Sequence, residues 1–228
     1  MAIAEEVVAL GHILVGTLRD RERGAGLVEL KERRPSQVRV LTLDVSDESS
    51  CAALTGEAAR VVDYIDVVIN NAGINSDSPD VGDKRHAFDL EMLMPAALER
   101  MIRTNAMGAI MVTRALRPLL ERSMVGARVV NVTSRRGALS QKENGGNYGY
   151  CMSKAALNMA TRAMAADLAP RGITVVAVHP GAIRTAMAQP DATIEPREAA
   201  RKLLDLVDRL TPAHTGRFLT TDGADHAW

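Results

Sequence analysis

Aromatic side chains are scarce in this sequence: one Trp, three Tyr and two Phe, 3% of 228 residues. Its core must therefore be mostly aliphatic. Cysteine is nearly absent too. Cys51 and Cys151 are the only two, far apart and without metal-type spacing. Both are read as reduced thiols of a cytoplasmic protein. No apolar run approaches the roughly 18 residues of a membrane-spanning helix. The opening MAIAEEVVAL carries two acids and no basic residue, so it does not read as a signal peptide. There is no excess of charge of either sign, since 28 basic side chains balance 28 acidic ones. That removes the electrostatic reason to expect nucleic acid or an anionic membrane as partner. Internal repeats and low-complexity linkers are lacking as well, so residues 1–228 read as a single domain.

What the sequence does hold is alternation. HILVGTL (12–18), VRVLTL (38–43), DVVIN (66–70), ARVVNVT (127–133) and ITVVAV (173–178) are near-continuous apolar runs, as strands covered on both faces must be. Between them lie segments with helical spacing over 46–62, 96–121 and 148–169. A last helix fits 196–209, and RFLTT (217–221) a short final strand. The pattern predicts an α/β fold: a doubly wound, mostly parallel sheet with helices on both faces, Rossmann-like. Residues 75–88 and 135–147 are polar, carry glycine or proline, and read as surface loops.

An open sheet of this kind binds ligands beyond the carboxyl ends of its strands. Asp44, Asn70-Asn71-Ala72-Gly73, Ser134 and His179-Pro180-Gly181 each follow a strand. Tyr150 and Lys154 stand four apart near the start of a helix, hence on one face. A phenol with a pKa near 10 is a poor proton-transfer group at neutral pH, and a neighbouring ammonium favours its ionised form. Four residues apart, such a pair also occurs by chance. Ser134 at a strand end and the NNAG segment give it weight.

These motifs together resemble the short-chain dehydrogenases/reductases. Asn70-Asn71-Ala72-Gly73 is similar to their NNAG, Asn105 to their helix asparagine and Ser134 to their catalytic serine. Tyr150-Cys151-Met152-Ser153-Lys154 is similar to YxxxK, and Pro180-Gly181 with Thr185 to their PG-x₃-T segment. NYGYCMSKAALNMA, HPGAIRT and the ending GRFLTTDGADHAW resemble the C-factor and sniffer-type carbonyl reductases. The resemblance implies hydride transfer between a nicotinamide cofactor and a carbonyl or alcohol carbon of a small molecule. Tyr150 would exchange the proton with the substrate oxygen and Ser134 would hold that oxygen. Lys154 would lower the tyrosine pKa and bind the nicotinamide ribose, and Asn105 would tie a relay water. Asn71, Ala72 and Gly73 would contact the cofactor. Asp44 and Val45 would sit at adenine, and Pro180, Gly181, Ile183 and Thr185 at the nicotinamide. Arg19 suggests a 2′-phosphate, so NADP is favoured over NAD, although the adjacent Asp20 argues the other way. The resemblance also implies a homodimer or homotetramer built on the helices near 96–121 and 149–169. The alternative is a C-factor-like signalling or regulatory protein.

One departure stands out. The family's TGxxxGxG phosphate loop has no counterpart with correct spacing. Aligned on Gly11, Met1 falls directly after that loop. The chain is thus expected to start within the family's first helix, lacking the first strand and the loop. The other reading makes 12–18 the first strand, followed by an unusual loop. In the first case strands 12–18 and 65–70 lose a shared neighbour. The natural protein could be longer, the two strands could pair directly, or a partner chain could fill the gap. Weakened dinucleotide binding is expected. Arg135 and Arg136 read either as solvated loop charges or as a greeting for an anionic substrate. Residues 187–196 are expected to form a short cap, leaving the pocket open.

Overall fold

A computed structural model describes residues 1–20, 22, 24–185 and 192–228. Helix α1 (Ala2–Ala9) leads into β1 (Leu14–Leu18), α2 (Ala25–Arg33) and β2 (Val38–Thr42). Next come α3 (Glu48–Ala59) and β3 (Val67–Asn70). The following helical stretch runs as α4 (Pro95–Ile102), a π-turn over Arg103–Met107 and α5 (Gly108–Leu120). Then β4 (Arg128–Val132), α6 (Tyr148–Leu168), β5 (Thr174–His179), α7 (Pro196–Arg209) and β6 (Phe218–Thr220) complete the chain. Every expected strand is present. All strand pairs are parallel, and the helices cover both faces.

The alternation of side chains along β4 and β5 explains the two layers. Val129 and Val175 pair in register and face α3, α5 and α6. Val130 and Val176, one residue on, face α7 through Leu203, Leu206 and Val207. All four valines are fully buried.

The sheet is in two pieces. β1 pairs with β2, while β3-β4-β5-β6 form a separate ladder. Among the described residues no ladder joins β1 to β3, so direct pairing of these strands is not what happens. Two layers of side chains hold the pieces together instead. On one face α1 bridges them: Val8 packs with Leu18 and Val38, and Ile3 packs with Val67 and Ile69. On the other face Leu43 shares a cluster with Val68, Leu54 and Val112. Glu6 of α1 is also ion-paired with Arg197 and Arg201 of α7.

The 75–88 segment is less of a surface loop than its polarity suggests. It folds into short 3₁₀ turns, and Val81 and Ala87 pack with Ala97, Met101 and the Tyr150 ring.

Candidate functional site

Parallel strands end together, so Asn71, Ser134 and Pro180 gather at one edge of the larger ladder. Asp44 and Arg19 end the strands of the smaller one.

Ser134 has extended backbone and opens the 3₁₀ turn Arg135–Gly137, its Oγ accepting from the Arg136 N–H at 3.2 Å. That turn lies hard against α6. A Cβ on Gly137 would come within 2.7 Å of the Lys154 carbonyl carbon, so only glycine permits the approach. Asn158 fastens the contact, accepting from Thr133 Oγ1 at 2.7 Å and donating to Gly137 O at 3.2 Å. The clamp brings Ser134 to the first turn of α6, where its hydroxyl acts on the Tyr150 phenol.

Lys154 is buried, and its Nζ donates to Val132 O at 2.9 Å. Nζ stands 5.8 Å from the centre of the Tyr150 ring. Burial lowers the Lys154 pKa from 10.5 to about 8. The Tyr150 phenol is pushed up, chiefly by burial. The Ser134 hydroxyl and the charge of Arg136 oppose that rise. Arg136 is thus a cation acting on the phenol that the motif did not point to, while Lys154 turns its ammonium toward the strand carbonyl beside the Tyr150 ring.

Asn105 lies in the π-turn, where the widened helical turn points its side chain inward. Gly108 just beyond allows the helix to close on Val45, since a Cβ there would lie 2.9 Å from Val45 O. Asn105 Oδ1 accepts from Ile74 N–H at 2.7 Å. Its Nδ2 donates to Ile74 O at 2.8 Å and Ser153 Oγ at 2.9 Å. Ser153 in turn donates to Tyr150 O at 2.8 Å. Both amide hydrogens are thus committed to protein partners, which leaves the side chain no donor for a relay water. Its place is to tie the segment after β3 to α6.

The other expected residues are more spread out. Asn71 and Ala72 are exposed at the end of β3. Gly73 is drawn in: a Cβ there would lie 3.2 Å from Asn105 Oδ1 and 3.7 Å from Lys154 Nζ. Asp44 accepts from Ser46 N–H at 2.8 Å and Ser46 Oγ at 2.6 Å, which closes the turn carrying Val45. Arg19 pairs with Asp80 at 3.1 Å, linking the end of β1 to the segment after β3. Pro180 and Gly181 follow β5, Ile183 bridges to Ile194, and Thr185 is exposed. Of the expected cap at 187–196, residues 187–191 lie outside the described residues.

Sequence reasoning missed Ser153, Thr133 and Asn158. Ser153 was visible only as a filler of the YxxxK pattern. Its i+3 spacing from Tyr150 was the available signal. The His179 ring stands 5.6 Å from that of His226, and burial holds its pKa near 4.

The family model described as short chain dehydrogenase matches residues 1–195. The chain belongs to the short-chain dehydrogenase family. As a member it is an oxidoreductase. The C-signal protein of Myxococcus xanthus is 41% identical over 164 residues, 72% of this chain and 93% of that protein. The carbonyl reductase Sniffer of D. melanogaster superposes with a TM-score of 0.86 at 27% identity, covering 95% of this chain and 88% of that one. A Burkholderia multivorans short-chain dehydrogenase/reductase with bound NADP gives a TM-score of 0.81 at 27% identity, covering 100% of this chain and 93% of that one.

The geometry at Gly73 tests whether a nicotinamide dinucleotide fits. The Cβ-free notch lies beside Asn105 and Lys154, and Lys154 keeps two N–H groups beyond the one given to Val132 O. The nicotinamide-nucleoside half therefore fits. Among the described residues no glycine-rich strand-to-helix turn stands ready for the pyrophosphate.

Proposed function

We propose that this short-chain dehydrogenase interconverts a carbonyl and a secondary alcohol with an NADP or NAD cofactor, Tyr150 exchanging the proton. The Ser134 hydroxyl at the end of β4, which the Gly137–Lys154 contact brings to the first turn of α6 beside Tyr150, carries the reading. The bound cofactor supplies or accepts the hydride. Tyr150 gives its proton to the substrate oxygen during reduction and takes it back during oxidation. Ser134 orients that oxygen by hydrogen bonding. Lys154 offers its remaining N–H groups to sugar hydroxyls beside Gly73. Asn71 and Ala72 contact the cofactor, Pro180, Gly181, Ile183 and Thr185 border the nicotinamide, and Asp44 and Val45 the adenine. NADP is favoured because Arg19 can meet a 2′-phosphate, and a similar solved structure holds NADP.

The Tyr150→Phe variant tests this. NADPH-linked carbonyl reduction should fall about 1,000-fold, while the thermal midpoint stays within a few degrees. Undiminished activity overturns the assignment. We also propose a homodimer or homotetramer, supported by exposed Met107, Ile110, Met152 and Met159 on the helical segment before β4 and on α6. A monomeric mass by light scattering would reject it.

A second reading, a C-factor-like signalling protein, draws on the 41% identity to C-signal. It predicts full signalling by Tyr150→Phe, and loss of signalling in that variant would count against it.

A further inference from the structure

A cleft of ≈ 280 Å³ opens beside Cys151, the residue after Tyr150. Arg135, Arg136, Gln141, Lys142 and Glu143 line it. Three cations thus face one acid, in a chain whose 28 basic and 28 acidic side chains balance. The cations come from two turns brought together by the fold. Arg136 belongs to the turn that Ser134 opens, and Lys142 to the segment before α6.

Lys142 is held through its side chain and Arg136 through its backbone. The Arg136 N–H donates to Ser134 Oγ, and its guanidinium charge already acts on the Tyr150 phenol. Lys142 Nζ donates to Gly146 O at 3.0 Å and Gly145 O at 3.4 Å. Two of its three N–H groups are used, and one is left for a ligand. Some exposed arginines have carboxylate partners, such as Arg171 with Glu121 and Arg217 with Asp225. Among the described residues neither Arg136 nor Lys142 forms an ion pair. An arginine fork and a pinned ammonium on one polar cleft suit a carboxylate or phosphate.

We propose that the substrate carries an anionic group, a carboxylate or a phosphate, which Arg136 and Lys142 bind beside the Tyr150–Ser134 pair. The inference rests on the carbonyl–alcohol reading above and narrows it to acidic substrates. Arg136 and Lys142 are thereby specificity-determining residues. Both add affinity for the anion, and because Arg136 also acts on the Tyr150 phenol, the anionic-to-neutral ratio rather than the absolute rate reports on this role.

The test uses matched substrates with NADPH and the full chain. 4-Oxopentanoate is compared with its methyl ester, and dihydroxyacetone phosphate with dihydroxyacetone. The anionic member of at least one pair should show kcat/KM about tenfold higher, as a charge-assisted hydrogen bond implies. The pair that responds tells carboxylate from phosphate. Lys142→Met and Arg136→Gln should each lower the anionic-to-neutral ratio by roughly threefold or more, and about 0.5 M NaCl should lower it similarly. A general folding defect scales both substrates and leaves the ratio alone. Ratios near unity, or ratios untouched by both variants, overturn the proposal. Titration calorimetry separates it from the underlying reading. An anion bound in a Lys142-dependent way but not reduced leaves the anion site standing and removes the reductase assignment. No preference for the anion in binding or turnover removes the site itself.

Discussion

Lys154 is the costliest buried charge in the site, and replacing it should make the protein more stable. Its pKa falls from 10.5 to about 8 because the ammonium is buried. Holding the proton at neutral pH therefore costs the folded state about 3 kcal/mol relative to the unfolded chain. Methionine has a similar length and no charge. Lys154→Met removes that cost and gives up the bond to Val132 O, worth about 1 kcal/mol. The net expectation at pH 7 is a gain of about 2 kcal/mol, or roughly 4–8 °C in thermal midpoint for a chain of this size. The gain should depend on pH. Between pH 8 and 10.5 the unfolded chain binds a proton at this lysine that the folded chain does not, so wild-type stability rises with pH there. By pH 9.5 about 2 kcal/mol of the penalty is gone, and the advantage of the variant should shrink to near zero. His179, held near pKa 4, titrates below this window, and Tyr150 is pushed above its usual 10. Urea unfolding of both proteins at pH 7 and 9.5, at constant ionic strength, measures the difference. A wild type more stable than the variant at pH 7, or a gap independent of pH, refutes the reasoning. The variant should also lose activity, since the stabilising change removes a group of the site.

Two further outcomes follow from contacts elsewhere. Asp80→Asn frees Arg19 from its ion pair and should tighten NADPH binding up to about fivefold while leaving NADH unchanged. Equal responses to both cofactors in fluorescence titration would detach Arg19 from the 2′-phosphate. Asn105→Ala strands Ile74 N–H and Ile74 O and takes one of two bonds from Ser153 Oγ, at a residue only 1% exposed. It should cost about 3 kcal/mol and lower the thermal midpoint by roughly 6–12 °C. A change below about 1 kcal/mol would mean that the tie between the segment after β3 and α6 is not structural.

Much of this was legible in the chain itself. Apolar runs with β-branched residues located all six strands to within two residues, because strands buried on both faces cannot hide their hydrophobicity. The i, i+4 pair of Tyr150 and Lys154 and the strand-end position of Ser134 followed from periodicity alone. Other features left no periodic trace. Helix α2 is short and charged, and its spacing gave no clear face. The π-turn at Arg103–Met107 inserts its irregularity inside an unbroken helical pattern, so the inward turn of Asn105 was invisible. Val81 and Ala87 are buried through tertiary packing onto Tyr150, although their neighbours are polar. The acceptor that fixes the Lys154 ammonium, Val132 O, lies 22 residues away along the chain, so it too was invisible in the local pattern.

The two-piece sheet carries a mechanical consequence. Leu14 N–H and Leu18 O bond toward β2, so Val15 and Thr17 turn their backbone groups the other way. Asp66 O bonds toward β4, so Val67 and Ile69 likewise face the gap. A continuous ladder would transmit a shift in one strand rigidly to the next. Here the half bearing Arg19 and the half bearing Tyr150 are joined through softer links: α1 on one face, the Leu43–Val68 cluster on the other, and the Arg19–Asp80 pair. Among the described residues, the end of β1 bearing Arg19 is thus tied to the half bearing Tyr150 by side-chain packing and the Arg19–Asp80 pair rather than by a strand ladder.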